Sequence, residues 1–482
     1  MERYDLVVIG GGVAGLVISS GAAQFGARVA LVDKGRLGGD CLWSGCVPTK
    51  RLVYTAKVAS LIRRAPEFGI FAGDGPKVDF PRVMELMREV QARIGENDDP
   101  ERFRKMGVDV IPGQGSFIDG KTFEVNGRKL TARRFVVATG SGPVILPIPG
   151  LREAGALTNE TALELKELPE SIAILGAGPI GMEFAQVFAR LGSKVTVIEK
   201  MDQVLPKEDK EISDMLGKVL EAEGIKIEVC TEVKDVRREG GRVFIKARCS
   251  SGEKTYETQE VMIAIGRAPN VEGLGLEAAG VIYDKRKGIK VDASLLTSNK
   301  RVYACGDVVG QYAFTHVAEY HAGIVLSNAL FPLLTRKVDY RVVPWTTFTD
   351  PELARVGLTE QEARTKFATT VSVYRHFFNA NDRAVIEGEG NGIIKLVCDK
   401  HQRILGAHIL GPHAGEMLPE YVLAMKLKAP ITKISQSIHV YPTVAQGLKR
   451  AADQYYKEKL FGDGWFPRLA RWLVKRGHKG QP

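Results

Sequence analysis

The chain has 482 residues, a hydrophobic fraction of 44% and a formal net charge of +10. This length corresponds to about three domains of ordinary size. Six cysteines in so long a chain exclude a secreted disulfide-rich scaffold. Because neither a signal-peptide pattern nor a membrane-spanning apolar run is found, we expect a cytoplasmic protein. The basic charge is accompanied by no nucleic-acid-binding motif, so we expect no nucleic-acid partner.

A dinucleotide-binding fingerprint begins the chain. The apolar run at 6–9 predicts a buried strand, and it leads into a G-x-G-x-x-G motif formed by Gly10, Gly12 and Gly15. An apolar helix and a second strand at 29–32 follow, and Asp33 lies 18 residues after the last glycine. In such a βαβ unit the glycines let a pyrophosphate approach the helix N-terminus, and the acid binds a ribose hydroxyl.

Two cysteines, Cys41 and Cys46, have four residues between them in the stretch from Gly38 to Lys50. Five helical steps rise about 7.5 Å, whereas a disulfide needs Cα atoms about 4.4–6.8 Å apart. A bonded pair therefore requires a bend, which Gly45 permits. So short a loop constrains the unfolded chain little, which favours a redox pair over a stabilising disulfide. From spacing alone, two buried free thiols are an equal alternative.

The βαβ unit recurs after residue 170. An apolar run at 172–175 leads into a second G-x-G-x-x-G, whose glycines are Gly176, Gly178 and Gly181, and Glu199 again follows the last glycine by 18 residues. The chain therefore carries two dinucleotide sites. Glu199 would accept hydrogen bonds from a ribose diol and repel a 2′-phosphate, which favours NADH over NADPH. The neighbouring Lys200 weakens this preference.

Shorter motifs complete the pattern. Strand-like segments end at Thr139-Gly140-Ser141, at Ile265-Gly266-Arg267-Ala268-Pro269-Asn270 and at Cys305-Gly306-Asp307. With the two fingerprints and the cysteine pair, they resemble the FAD-dependent pyridine nucleotide–disulfide oxidoreductases, the group of dihydrolipoamide dehydrogenase, glutathione reductase and mercuric reductase. The resemblance covers about residues 4 to 457. It implies an α/β fold with two Rossmann-like domains, for FAD and NAD, and a C-terminal α+β dimerisation domain.

The same resemblance predicts domain limits and site residues. The limits are 1–148 and 268–338 for the FAD-binding domain, 149–267 for the NAD-binding domain, 339–460 for the dimerisation domain and 461–482 for a basic amphipathic tail. The expected FAD-binding residues are Gly10, Gly12, Gly15, Asp33, Lys34, Gly39, Lys50, Gly115, Thr139, Gly140, Ser141, Asp307, His316 and Ala318. The expected NADH-binding residues are Gly176, Gly178, Gly181, Glu183, Glu199, Val233 and Gly266. No metal site is expected.

The family also implies a mechanism. Electrons would pass from NADH through FAD to a Cys41–Cys46 disulfide, and then to a small or protein-bound disulfide or thiol-type substrate. Cys46 would be the flavin-facing thiolate and Cys41 the interchange thiol. A helix beginning after Cys46 would lower the thiol pKa there. The active site would be composite, shared between the subunits of a homodimer.

Two departures from the family stand out. Asp40 occupies a position near the FAD pyrophosphate where the family more often has threonine, and a carboxylate there would repel phosphate. Tyr441 and Gln446 occupy the places of the family's His and Glu, which the partner subunit supplies as acid and base. Tyrosine, with a pKa of about 10, is a poor proton shuttle at pH 7. Tyr441 is nevertheless a catalytic candidate. His439 is the nearest substitute base, and the alternative is that it is merely packed.

Three functions stay open on the sequence. The first is an NADH-dependent disulfide reductase, an enzyme acting on a sulfur group. The second is a reductase of metal ions or quinones, since Tyr441-x-Thr443 also resembles mercuric reductase, although the last cysteine is Cys398 and no C-terminal thiol pair exists. The third is a non-catalytic flavin-binding interaction protein. The remaining cysteines, Cys230, Cys249, Cys305 and Cys398, are expected to be core thiols.

The tail at 461–482 is unlike the family. It has five basic residues against one acid, Asp463. A helical wheel predicts an apolar face of Trp465, Phe466, Leu469, Trp472 and Leu473 and a basic face of Arg468, Arg471 and Lys475. Arg476 intrudes on the apolar side, and Lys479 lies beyond them. This pattern suits an anionic membrane surface or a partner protein, and would place the protein peripherally at the inner membrane surface. A helix packed on its own domain is the alternative.

Overall fold

The protein is described by a computed structural model for residues 1–71, 73, 75–331, 333–462 and 465–477. The chain forms two compact units. The first contains Met1–Asp202 and Gly224–Asp339, and the second contains Gln203–Glu223 and the chain from Tyr340 onward. The segment 203–223 lies inside the predicted NAD-binding domain but packs with the second unit. The predicted domain limits themselves stay predictions.

The first unit carries both fingerprints. Its strands are β1 (Glu2–Ile9), β2 (Val29–Asp33), β3 (Val108–Pro112), β4 (Gly115–Asp119), β5 (Thr122–Val125), β6 (Arg128–Val137), β7 (Ser141–Pro143), β8 (Ser171–Leu175), β9 (Lys194–Ile198), β10 (Lys226–Glu228), β11 (Glu232–Glu239), β12 (Arg242–Cys249), β13 (Gly252–Thr258), β14 (Glu260–Ile263), β15 (Arg267–Pro269), β16 (Tyr283–Asp284), β17 (Gly288–Ile289) and β18 (Val302–Ala304). Its helices are α1 (Val13–Gln24), α2 (Gly39–Trp43), α3 (Cys46–Arg64), α4 (Phe80–Gly95), α5 (Pro100–Lys105), α6 (Pro179–Leu191) and α8 (Thr315–Leu330).

The first fingerprint lies in a seven-stranded sheet. The order is β3-β2-β1-β6-β5-β4, with β18 also paired to β6. The β1, β2, β3, β6 and β18 pairings are parallel, which explains why the run Leu6–Ile9 is buried throughout. β1 ends at Ile9 and α1 begins at Val13, so the glycine turn lies at the carboxyl end of a parallel strand, where such folds bind ligands.

The second fingerprint repeats this arrangement. A parallel sheet of order β10-β9-β8-β14 contains it, and α6 follows β8 through the glycine turn. An antiparallel sheet β11-β12-β13 and a two-stranded ribbon of β7 and β15 complete this part. The predicted repetition of the βαβ unit is thereby confirmed.

The second unit is built on one antiparallel sheet. Its strands are β19 (Pro344–Thr347), β20 (Glu352–Gly357), β21 (Ser372–Phe377), β22 (Ile393–Cys398) and β23 (Ile404–Gly411), in the order β19-β20-β23-β22-β21. Its helices are α7 (Lys210–Ala222), α9 (Glu360–Phe367), α10 (Asp382–Ile386), α11 (Ala414–Lys426), α12 (Ile431–Gln436), α13 (Gln446–Phe461) and α14 (Trp465–Gly477). The buried Lys395 ammonium binds Asp209, Glu211 and Glu360 at 2.8–2.9 Å. This cluster ties α7 and its N-terminal flank to the sheet.

The helix expected in the tail is present as α14. Trp465, Leu469, Trp472 and Leu473 on its apolar face are 41–76% exposed. Asp463, Lys479 and the side chain of Phe466 lie outside the described residues. Within the described chain, no helix is both long enough and apolar enough to cross a membrane.

Candidate active site

The cysteine pair lies where one short helix stops and a long one starts. Cys41 is in α2, Cys46 is the first residue of α3, and Gly45 between them has φ −121° and ψ −115°. A Cβ on Gly45 would lie 2.9 Å from the Asp40 carbonyl oxygen, so the bend requires glycine. The expected bend is therefore present. Both thiols are free and hydrogen-bonded to each other, which is the reduced form of a dithiol pair.

The environment separates the two thiols electrostatically. The hydrogen bond with Cys41 is the main cause that lowers the pKa of Cys46 to about 6, and the Thr315 hydroxyl and Lys50 ammonium act in the same direction. The same bond, together with burial, raises the pKa of Cys41. Cys46 is exposed, and its Sγ lies 3.4 Å from Thr315 Oγ1. At neutral pH the pair thus consists of a Cys46 thiolate and a Cys41 thiol.

The other cysteines divide into two classes. Cys305 and Cys398 are fully buried, as expected of core thiols, and burial raises the pKa of Cys305 to about 12. The expectation is wrong for Cys230, which is exposed, and for Cys249, which is half-buried. Cys249 lies at the end of a hairpin strand, where its Sγ contacts Ser251 and Gly252.

An ion pair connects the helix of Cys46 to the second fingerprint. Lys50 Nζ lies 2.8 Å from Glu183 Oε2, and the Glu183 side chain is only 4% exposed. Lys50 was expected near the flavin and Glu183 near the nicotinamide. The structure brings these two side chains together, so each helps to hold the other beside the cysteine pair.

Both glycine turns fit a dinucleotide pyrophosphate. Cβ atoms on Gly15 and Gly181 would lie 1.8 Å and 2.1 Å from the carbonyl oxygens of Gly10 and Gly176, so these glycines allow tight packing. The middle glycines, Gly12 and Gly178, are less crowded, since the nearest atoms to such a Cβ lie at van der Waals distances of 4.0 and 3.8 Å. Among the described residues no side chain caps α1 or α6. Their first N–H groups are therefore available to phosphate.

The two acids that follow the glycine turns are held in the same way. The Gly11 N–H donates to Asp33 Oδ2 at 2.6 Å, and the Ala177 N–H donates to Glu199 Oε2 at 2.7 Å. Lys200, which weakened the NADH preference, is bonded elsewhere: its Nζ lies 2.9 Å from Glu232 Oε1. Glu232 also binds Lys234. The Lys200 charge is thus partly neutralised, which supports the preference for NADH.

The carboxylate of Asp40 has a partner that sequence reasoning missed. Arg267 Nη2 lies 3.0 Å from Asp40 Oδ2, and Arg267 Nε donates to Ser141 Oγ at 2.9 Å. Ser141 Oγ in turn donates to Asp307 Oδ2 at 2.7 Å. Burial raises the pKa of Asp307, and Asp40 adds to this effect, whereas Ser141 and Arg267 oppose it. Arg267 therefore neutralises the carboxylate that replaces the family's threonine.

The remaining predicted cofactor residues lie at separate places in the first unit. Thr139 and Gly140 are bonded to Asn270, which joins the two small-residue motifs. A Cβ on Gly39 would lie 2.8 Å from Gly12 Cα, so α2 starts directly against the first glycine turn. The others are found as follows: Lys34 exposed after β2, Gly115 at the start of β4 against Phe123, Val233 in β11 paired with Ala247, Gly266 before β15, and His316 and Ala318 in the first turn of α8.

Tyr441 and His439 lie in the second unit, between α12 and α13. Tyr441 is 63% exposed, and its hydrogen bond to the Asp382 carboxylate raises the pKa of Tyr441 above the usual value of 10. His439 Nε2 lies 3.2 Å from both oxygens of Glu420, and Nδ1 lies 3.3 Å from the Ser437 carbonyl oxygen. These contacts at both ring nitrogens hold the His439 ring in place. Gln446 begins α13.

Comparisons with known proteins agree with this architecture. The family model for pyridine nucleotide-disulphide oxidoreductases matches residues 4–322, and the model for the dimerisation domain of that family matches residues 343–452. The mercuric reductase of Staphylococcus aureus is 36% identical over 94% of this chain and 83% of its own length. The dihydrolipoyl dehydrogenase of Bacillus subtilis (strain 168) is 34% identical over 93% of this chain and 97% of its own.

Solved structures of one further protein are similar. The HOCl-induced flavoprotein disulfide reductase RclA from Escherichia coli superposes with a TM-score of 0.84 at 30% identity, covering 93% of this chain and 99% of RclA. A Cu(II) complex of RclA gives a TM-score of 0.83 at 31% identity, covering 92% of this chain and 98% of RclA.

Proposed function

The chain belongs to the pyridine nucleotide-disulphide oxidoreductase family, and from this premise we propose that it transfers electrons from NADH to an oxidised thiol substrate through the Cys41–Cys46 pair. The family uses FAD and NAD(P)H. The observation that carries the proposal is the hydrogen bond between Cys41 and Cys46, which lowers the pKa of Cys46 to about 6. A thiolate and a thiol in contact are the two groups that disulfide exchange requires.

The residues of this chain have separate tasks in that reaction. FAD, when bound, supplies the two-electron link between the hydride donor and the dithiol. Lys50 and Thr315 hold the charge on Cys46. Cys41 attacks one sulfur of the substrate disulfide, the substrate S–S bond breaks, and the proton of Cys41 ends on the sulfur that leaves, which is released as a thiol. Cys46 then attacks Cys41, which closes the Cys41–Cys46 disulfide and releases the second substrate sulfur.

An acceptor screen tests this proposal. Purified protein with NADH would be assayed with lipoamide, glutathione disulfide and quinones, and Cys41→Ser and Cys46→Ser should each abolish turnover of disulfides. The FAD-loaded Cys41→Ser protein should show a long-wavelength absorption band without reductant, because Cys46 is then a free thiolate. Cys46→Ser should lack the band. A band that persists in Cys46→Ser would refute the assignment of the thiolate.

Reduction of a metal ion is a second candidate. It is favoured by the 36% sequence identity with a mercuric reductase and by the Cu(II) complex of RclA. Thiolates are preferred ligands of soft ions such as Hg(II) and Cu(I). Cys398, the last cysteine, is fully buried and offers no second thiol for delivery. A metal ion would therefore have to reach Cys41 and Cys46 directly. Hg(II) and Cu(II) belong in the same acceptor screen. Loss of metal-ion reduction in Cys41→Ser would show that the dithiol reduces the ion, and retained reduction would show that the flavin does.

We also propose that the active site is shared across a homodimer. The match to the dimerisation domain covers residues 343–452. Ile438, Val440 and Tyr441 are 101%, 75% and 63% exposed and form an apolar segment that a second copy would cover. Ile438→Asp should therefore shift the protein toward monomer in sedimentation velocity and lower turnover in parallel. An unchanged sedimentation coefficient would show that this segment is not at the interface.

The tail supports a proposal of peripheral binding to anionic membranes. Its tryptophans and leucines are exposed, and Arg468, Arg471 and Lys475 border them along the helix, a composition typical of interfacial helices. Each basic residue near such a surface contributes about 1 kcal/mol, so replacing all three with glutamine should weaken binding by about a hundredfold. Cosedimentation with phosphatidylserine vesicles measures this. The control is Arg286→Gln/Lys287→Gln/Lys290→Gln, which removes equal charge from an exposed loop. Equal binding of both triple variants would refute a role for the tail.

A further inference from the structure

A cavity of about 330 Å³ lies in the second unit, between one side of α13 and the end of β21 with the segment that follows it. Its walls are formed by Arg375, His376, Phe377, Asn379, Ala380, Asn381, Asp382, Gln446, Arg450, Gln454 and Lys457. The volume is at the lower end of the range for small-molecule sites. All of these side chains except Phe377 and Ala380 are polar or charged, so the cavity is not a packing defect of the apolar core.

One face of α13 supplies most of the polar wall. Gln446, Arg450, Gln454 and Lys457 follow each other at spacings of four, four and three residues, which places them on one side of the helix. Within the described chain, the heads of Arg450 and Lys457 form no ion pair or hydrogen bond. Two cations therefore point their donors at the same space without an acceptor.

The side chain of His376, which also lines the cavity, likewise has a polar atom without a hydrogen-bond partner among the described residues. His376, in β21, is 7% exposed, and its Nε2 has no hydrogen-bond partner within the described chain. Burial lowers the pKa of His376 to about 4, and Arg450 and Lys457 add to this effect. The ring is therefore neutral at pH 7, and the neutral tautomer with a proton on Nε2 can donate. An unpaired buried donor is costly, so a ligand acceptor would relieve that cost.

The other charges of the cavity are already engaged. Arg375 forms ion pairs with Glu211 and Glu360 at 2.9–3.0 Å. The Asp382 carboxylate accepts a hydrogen bond from the Tyr441 hydroxyl. Arg450 and Lys457 are thus left as an excess of positive charge. The guanidinium fork and the ammonium group match the oxygens of phosphate and carboxylate groups.

From this geometry we infer that the cavity is a binding site for a small molecule that carries oxyanion groups, held by Arg450, Lys457 and the Nε2 donor of His376. Gln446 is an uncharged part of the cavity wall, where a glutamate would repel such a molecule. Asp382 connects the cavity to Tyr441 through a hydrogen bond, but binding itself needs neither Cys41 nor Cys46, so failure of the redox proposal leaves this inference standing.

Calorimetric titration of the FAD-loaded full chain tests the inference, with pyrophosphate and citrate as probes at fixed ionic strength. A charged hydrogen bond is commonly worth a factor of about ten or more, so Arg450→Gln/Lys457→Gln should weaken binding by about a hundredfold. The control Lys433→Gln/Lys459→Gln removes the same charge from exposed positions outside the cavity and should bind as the wild type does. Binding of one probe only would identify the phosphate or carboxylate class.

A second variant does not alter the number of cations. Gln446→Glu is isosteric and should weaken binding by about tenfold through charge repulsion, whereas Gln361→Glu on exposed α9 should not. FAD content and the melting temperature report whether each variant is folded. Two results would overturn the inference. One is equal affinity of the Arg450→Gln/Lys457→Gln protein and the wild type, which would mean that the anion binds elsewhere, at the dinucleotide turns. The other is the absence of binding heat with both pyrophosphate and citrate.

Discussion

The sharpest consequence of the site geometry is the titration of Cys46. With a pKa of about 6, its thiolate fraction at pH 7 is about 90%, whereas an ordinary cysteine with a pKa of about 8.5 would be about 3% ionised. The reduced protein should therefore react at Cys46 about thirty times more than an unperturbed thiol would at that pH, before allowance for the lower nucleophilicity of a less basic thiolate.

The main cause of the low pKa is the hydrogen bond from Cys41, and Cys41→Ala removes it. We expect the pKa of Cys46, read as the midpoint of its alkylation rate against pH, to rise by at least about one unit. At pH 6 this reduces the thiolate fraction from about half to less than about a tenth. Iodoacetamide alkylation against pH, followed by peptide mass spectrometry, measures the midpoint for each cysteine separately. Cys249→Ala, which removes a half-exposed thiol elsewhere, is the control. A wild-type midpoint near 8.5, or one that Cys41→Ala leaves unchanged, would refute the reasoning.

Three further outcomes follow from the charged and acid-base groups already described. Glu199 should make kcat/KM for NADH at least about tenfold higher than for NADPH, and Glu232→Gln, which frees Lys200, should narrow that gap; equal values in the wild type would show that another group decides. Arg267→Gln should lower stability by about 1–3 kcal/mol and Arg267→Gln/Asp40→Asn should recover part of it, as read from thermal unfolding and FAD retention. Dihydrolipoamide turnover should be weak, unaffected by His439→Ala, and raised by Tyr441→His/Gln446→Glu by a factor of up to about 10²–10⁴; high wild-type turnover would contradict this.

The parts of the fold that the sequence predicts are those with local causes. Each glycine turn, its following helix and its acid lie within one βαβ unit, so their spacing alone specifies the backbone path. The bend at Gly45 is also local, since the nearest obstacle to a Cβ there is Asp40 in the adjoining turn. For the same reason the start of α3 at Cys46 could be expected.

The parts that sequence reasoning missed depend on contacts between distant segments. Asp40 meets Arg267 and Lys50 meets Glu183 only after the chain has folded. The Gly266-to-Asn270 motif was recognised, but periodicity does not show that its arginine points at Asp40. Segment 203–223 packs with the second unit, where Asp209 forms an ion pair with Lys395. The local sequence around Asp209 does not indicate that Lys395 is its partner.

Proton supply limits which substrates suit this site. Exchange with an alkyl dithiol needs a base of near-neutral pKa, yet the hydrogen bond to Asp382 moves the pKa of Tyr441 further above neutrality, and both nitrogens of His439 are occupied. Cys46 itself has a near-neutral pKa, but its charge is needed for the second attack on Cys41. A site without a near-neutral acid or base works best when the reduced product is released without being protonated by the protein. Disulfides with acidic leaving thiols, and metal ions that bind thiolates directly, meet that condition, whereas dihydrolipoamide, whose thiols must first lose protons, does not.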